Sequence, residues 1–104
     1  MSDPDASVEV VDLRDEGRLT VREGDSEAEL VYEIGDGRMV LVHTGVPEEM
    51  GGRGIAGMLV ASAIDLAAKE GLTVVPLCPY ARKWIRDHPE AAEDVNVDWR
   101  IGSR

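Results

Sequence analysis

The residue types that could do chemistry here are few. Cys78 is the only cysteine in the chain. It follows the apolar run LTVVPL and precedes Pro79, a residue suited to the first turn of a helix. That puts Cys78 at a helix N-terminus, a place where a sulfur can serve as the nucleophile on an acyl carbon. The other reading is a buried, inert cysteine. His43 lies near the end of RMVLVHTGV, where a neutral imidazole could accept an amine proton or simply orient its strand. His88 stands before Pro89 and suits the C-terminus of a helix, where a cation is favoured. Tyr80 could hydrogen-bond a substrate or fill the core. His43 and His88 are far apart with one cysteine between them, so no metal-ligand spacing is present.

The stretch VPEEMGGRGIAGMLV brings Gly51, Gly52, Gly54 and Gly57 together where a helix must begin. Glycine costs about 1 kcal/mol relative to alanine inside a helix, so the cluster needs a reason. The first N–H groups of a helix lack partners, and the helix dipole adds positive charge there; together they make an anion site. Glycines let a phosphate approach the backbone, and Arg53 adds a cation. A close helix–strand crossing would explain the same glycines. No Gly-Lys occurs, which excludes a P-loop. The strands that come first are antiparallel in pattern, which argues against a dinucleotide fold.

The elements that must position these residues follow from periodicity. RLTVRE (18–23), EAELVYEI (27–34) and RMVLVHTGV (38–46) read as three strands. The second alternates Ala28, Leu30, Tyr32 and Ile34 against Glu27, Glu29 and Glu33. Turn residues at 24–26 and 35–37 make the three an antiparallel meander. The third strand is apolar on both faces, as a central strand would be. Helical spacing then runs over 53–70, with Gly71 as its stop and Leu72 behind it. LTVVPL (72–77) is a short strand, and a second helix is expected from Pro79 to about His88, with Ala81, Trp84, Ile85 and His88 facing inward. The tail has the pattern of an edge strand at Val95–Ile101. The strand at 38–46, the helix and the strand at 72–77 form a β-α-β unit with a right-handed crossover. The fold class is α/β, a mixed sheet of an antiparallel meander followed by a parallel unit and a C-terminal helix.

The length, 104 residues, allows one small domain. Residues 1–7 offer almost nothing to bury and read as a disordered arm, leaving 8–104 as a single domain. The net charge of −10 argues against nucleic acid and anionic lipid as partners. No apolar run approaches the ~18 residues of a membrane span. The acidic start, MSDPDAS, is unlike a signal peptide, and a cytoplasmic protein is expected.

The segments HT-x-VP, G-R-G-I-A, VVPLC-x-Y and HPE, in this order and spacing, resemble the GCN5-related N-acetyltransferases, and more narrowly their branch of roughly hundred-residue, single-domain members. The resemblance covers about residues 16–94. It implies that the β-α-β unit is splayed, that acetyl-CoA binds in the splay, and that acetyl is transferred to an amine on a small molecule or a protein or peptide. The family's pyrophosphate loop, [QR]-x-x-G-x-[GA], lays Gly54 and Ala56 on its last fixed positions and Gly51 where Gln or Arg is usual. Gly51, Gly52, Arg53, Gly54, Ile55 and Ala56 are then the phosphate loop. Thr44 and Val46 would meet pantetheine through their backbones, and Cys78 and Tyr80 would line the cofactor arm. The family's N-x-x-A-x-x-x-Y pattern falls on Cys78, Ala81 and Ile85, so the usual tyrosine acid is absent. Cys78 and His43 are the catalytic candidates, with Cys78 near the thioester. The other function class is a CoA-binding or interaction module without turnover.

Overall fold

The computed structural model describes residues 9–52 and 54–100. The expected arm at 1–7, Arg53 and the end of the expected edge strand at Ile101 lie outside them. The strands are β1 (Val11–Leu13), β2 (Arg18–Glu23), β3 (Ser26–Gly35), β4 (Arg38–Gly45) and β5 (Thr73–Pro76); the helices are α1 (Ile55–Glu70) and α2 (Pro79–Asp87). They form one five-stranded sheet in the order β1-β2-β3-β4-β5. All neighbours are antiparallel except β4 and β5, which run parallel.

The meander and the β-α-β unit follow the hydrophobic pattern closely. β1 has no such signal. Three residues are too few to show a period, and Asp12 sits in the middle; what makes them a strand is pairing of Val11 with Thr20 and Leu13 with Arg18. On the inner face of the sheet Leu19, Val21, Ala28, Leu30, Tyr32, Met39 and Leu41 form one core with Ile55, Leu59, Val60 and Ala63 of α1 and Ala81 and Ile85 of α2. Helix α1 ends as its Gly71 stop requires: beyond it the Leu72 N–H donates to the Ala67 carbonyl at 2.9 Å.

Strand β4 is less buried than its sequence suggests. Met39 and Leu41 are fully buried, but Val42 is 37% exposed. Tyr32 pairs with Leu41 and Val31 with His43, which leaves Val42 as the extra residue of a bulge. A bulge bends its strand and re-aims the residues after it, and here those residues are His43 to Gly45.

The parallel pairing of β4 with β5 has four rungs, from Arg38–Thr73 to Leu41–Pro76. At its end the Leu41 carbonyl accepts from both Leu77 N–H at 3.1 Å and Cys78 N–H at 2.9 Å. Beyond this point β4 continues while the segment after β5 turns into α2, so the two strands part. The tail forms a single parallel bridge, Val97 beside Val74, where an edge strand was expected. Asp98 anchors it. Its carboxylate accepts from the backbone and guanidinium of Arg100 and from Arg38, and these contacts lower its pKa from 3.8 to about 2.

Candidate functional site

The start of α1 is built as an open donor. Its N-cap is Gly54, with φ 73° and ψ 18°, and no side chain caps the helix. The left-handed conformation costs a residue with a Cβ about 1–2 kcal/mol, which selects glycine. A Cβ built on Gly54, or on Gly52 at φ 80°, would meet no described residue beyond its chain neighbours within 4 Å. The space above both is therefore open, and packing does not account for either glycine. Among the described residues no side chain caps the leading N–H groups of α1, which form the positive end of the helix.

These backbones border a cleft of about 220 Å³ lined by Val46, Met50, Gly51, Gly52, Gly54, Ile55, Ala56 and Tyr80. Ligand pockets usually hold about 300–1,000 Å³, so this cleft suits the diphosphate of an extended molecule lying partly on the surface. Larger hollows exist beside β1 and β2, bordered by Glu9, Glu16, Arg18 and Glu27, remote from the glycines. Arg18 in this wall is already paired, donating to Glu16, Glu27 and Glu29. The residues predicted for the phosphate loop thus share one cleft with Val46 and Tyr80, Arg53 being outside the described residues.

Cys78 is buried and is the N-cap of α2, again with no side-chain cap. Its Sγ donates to Thr44 Oγ1 at 3.4 Å. This contact crosses the parted strands, one partner from the end of β4 and the other from the turn after β5. The structure does not place His43 beside them. Thr44 pairs with core residue Leu30, whereas His43 pairs with half-exposed Val31. Successive side chains alternate, so His43 points to the face of the sheet opposite Thr44 and Cys78. It is exposed, and its ring lies over Gly45, where a Cβ would come 3.1 Å from Nε2.

Tyr80, in the first turn of α2, is 41% exposed, which removes the core-filling reading. Partial burial first, then the nearby Cys78, push its pKa up, so it holds its proton at neutral pH. Ile85, at the position of the family's tyrosine acid, is buried in the core, where no proton donor could reach a ligand. Tyr32 is also buried, with its hydroxyl on Asp12. Tyr80 is thus the tyrosine at the cleft.

Sequence reasoning missed Met50, 1% exposed and flooring the cleft. Its place just before the glycines was the available signal. It also left the role of Gly57 open between ligand approach and packing. Gly57 is buried inside α1, and a Cβ there would come 2.5 Å from Trp84 Nε1. This glycine is explained by helix packing. Glu49 is exposed and accepts from the Ser26 hydroxyl at 2.5 Å, tying the loop before the glycines to β3. His88 Nδ1 lies 2.8 Å from the Trp84 carbonyl at the end of α2, as its position before Pro89 suggested. No group of three or more potential metal ligands occurs among the described residues.

Comparison with known proteins points the same way. A family model described as GCN5-related N-acetyl-transferase matches residues 18–95. Protein NATD1 of Xenopus tropicalis is 34% identical over 90 residues, 84% of this chain and 83% of that protein. Protein NATD1 of Homo sapiens is 40% identical over 63 residues, 60% of this chain and 56% of that protein; the match to the Gallus gallus protein covers 57% of it at the same identity. The chain therefore aligns with little more than half of those two relatives. A Staphylococcus aureus protein described as GCN5-like superposes with a TM-score of 0.69, 19% identity, and 95% and 98% coverage of the two chains. At that identity the likeness is one of fold.

The open space over Gly54 yields a test. Gly54→Val places a β-branched side chain in the cleft and resists the positive φ. The variant is expected to fold, with a lower melting temperature, and to lose measurable CoA affinity in calorimetry. Undiminished affinity would show that Gly54 serves the chain turn alone.

Proposed function

The chain belongs to the GCN5-related N-acetyltransferase family, and from that premise we propose that it is an acetyl-CoA-dependent N-acetyltransferase acting on an amine. The observation that carries this reading is the uncapped N-terminus of α1, opening through Gly52 and Gly54 into a cleft beside the parted ends of β4 and β5. The N–H groups of Ile55, Ala56 and Gly57 would hold the diphosphate. Arg53 would add charge. The free end of β4, at Thr44 and the following Val46, would take the pantetheine amides as an added strand would. Acetyl-CoA, when bound, would supply a thioester to the space beside the Cys78–Thr44 contact, where the strands part.

The residues around that space divide the work. Tyr80, protonated at neutral pH, is the donor for the departing sulfur, the role for which Ile85 is unsuited. His43 faces away from that space across the sheet, so the proton of an incoming amine would pass to bound water rather than to its imidazole. Cys78 has two possible roles. As a lining residue it shapes the thioester pocket through Thr44. As a nucleophile its sulfur would attack the acyl carbon, the C–S bond to CoA would break with a proton passing to CoA sulfur, and the amine would then release Cys78 as a thiol. Its position as N-cap of α2 supports the second role; its burial and its contact with Thr44 support the first.

The rival reading is a CoA-binding or interaction module without turnover, favoured by the absence of tyrosine at Ile85. The acetyltransferase and the CoA-binding module both require CoA to bind. CoA at a hundredfold excess over its Kd is expected to stabilise the protein by about 2.7 kcal/mol, read as a rise in melting temperature. An unchanged melting temperature at millimolar CoA would contradict both.

Turnover separates them. With a panel of amines and peptides, acetyl-CoA should give acetylated product; CoA binding without product on any acceptor would favour the module. Cys78→Ala then assigns the cysteine. An obligatory acyl-cysteine predicts loss of nearly all turnover with CoA binding kept, and one added acetyl group on the Cys78 peptide of the native protein. A lining residue predicts only a modest change in rate.

A further inference from the structure

Gly57 is explained by helix packing, and the side chain it packs against reaches both sides of the site. Gly57 lies in the first turn of α1, three residues past the Gly54 N-cap, and is buried. A Cβ there would come within 2.5 Å of Trp84 Nε1 and 3.3 Å of Cδ1 and Cε2. The indole therefore rests directly on the helix backbone, at a separation that any other residue would enlarge. Trp84 cannot easily yield. Its ring also stacks on His88, ring centroids 4.2 Å apart and planes 18° from parallel, and His88 Nδ1 lies 2.8 Å from the Trp84 carbonyl. The ring is held between the backbone of one helix and the last turn of the next.

The two helices joined here supply the two sides of the candidate site. Helix α1 begins at Gly54, whose backbone borders the cleft; α2 is N-capped by Cys78 and carries Tyr80 into the same cleft. Rigid helices transmit the spacing at Gly57–Trp84 to both ends. We propose that Gly57 and Trp84 are a positioning pair: the indole seated on Gly57 sets the distance between the phosphate-binding start of α1 and the Cys78–Tyr80 start of α2, and it senses occupation of the cleft between them. This rests on the reading that CoA binds there. Trp84 touches neither CoA nor acceptor and acts through the helix it anchors.

Gly57→Ala should separate the helices and raise the Kd for CoA about tenfold, the size of effect expected from overpacking, with cooperative unfolding retained. Adding Trp84→Leu removes the Nε1 edge and should recover most of the lost affinity, a rescue that general destabilisation would not give. A second measurement does not depend on the folding of that variant. The chain has two tryptophans, so in Trp99→Phe the emission comes from Trp84 alone. CoA titrated into Trp99→Phe should change that emission saturably, with the Kd found by calorimetry. CoA binding to Gly57→Ala as tightly as to the native protein would overturn the pairing, as would calorimetric saturation of Trp99→Phe with silent Trp84 emission. Absence of any CoA binding to the native protein would instead remove the cleft reading, and this inference with it.

Discussion

Parallel strands cannot be joined by a tight turn; their connection must cross over a dozen or more residues, usually as a helix. Here that requirement makes α1, and it fixes where α1 begins: beside the end of β4, over the edge where the sheet opens. The opening is set at Leu41, whose carbonyl takes two N–H groups and ends the ladder. Had the pairing continued, β5 would cover the end of β4, and α2 would begin further from α1. Instead the parted strands leave one backbone edge free, and two helix N-termini without side-chain caps lie near it. The charge of those helix ends, not a set of catalytic side chains, is the most distinctive feature of the site.

The four glycines that mark it have different physical causes. Gly52 and Gly54 are left-handed and face open space; Gly57 is helical and supports an indole; Gly51 has φ −72° and a Cβ there would lie 3.3 Å from the Glu48 carbonyl. A sequence shows only that glycines are present. Backbone angle and the nearest atom decide whether each admits a ligand or a neighbouring helix.

The legible parts of the fold were those written in periodicity or turn chemistry. The alternation in β3, the helical spacing of α1, the stop at Gly71 and Pro79 at the start of α2 each rest on local rules, and the structure follows them. What was not legible depended on pairing partners. Strand β1 exists because β2 offers an edge; the tail pairs at Val97 alone and is otherwise held through Asp98. The bulge at Val42 leaves no composition signal, yet with strand alternation it sets which way the strand end faces. Sequence proximity therefore made His43 look like a companion of Thr44 and Cys78, although the sheet lies between them. The clustering of Val46, the glycines and Tyr80 did follow from the family resemblance, because the order of elements alone brings them to the sheet opening.

The central claim is that backbone donors at the start of α1 hold the diphosphate of CoA. A titration of CoA into isotope-labelled protein, followed through assigned backbone amide resonances, tests it directly. The account predicts that the largest shifts fall on the amides of Gly52, Gly54, Ile55, Ala56 and Gly57, saturate together, and move in the direction expected of N–H groups gaining a charged acceptor. Saturation by CoA with those amides unmoved, and the largest shifts on another part of the surface, would contradict it.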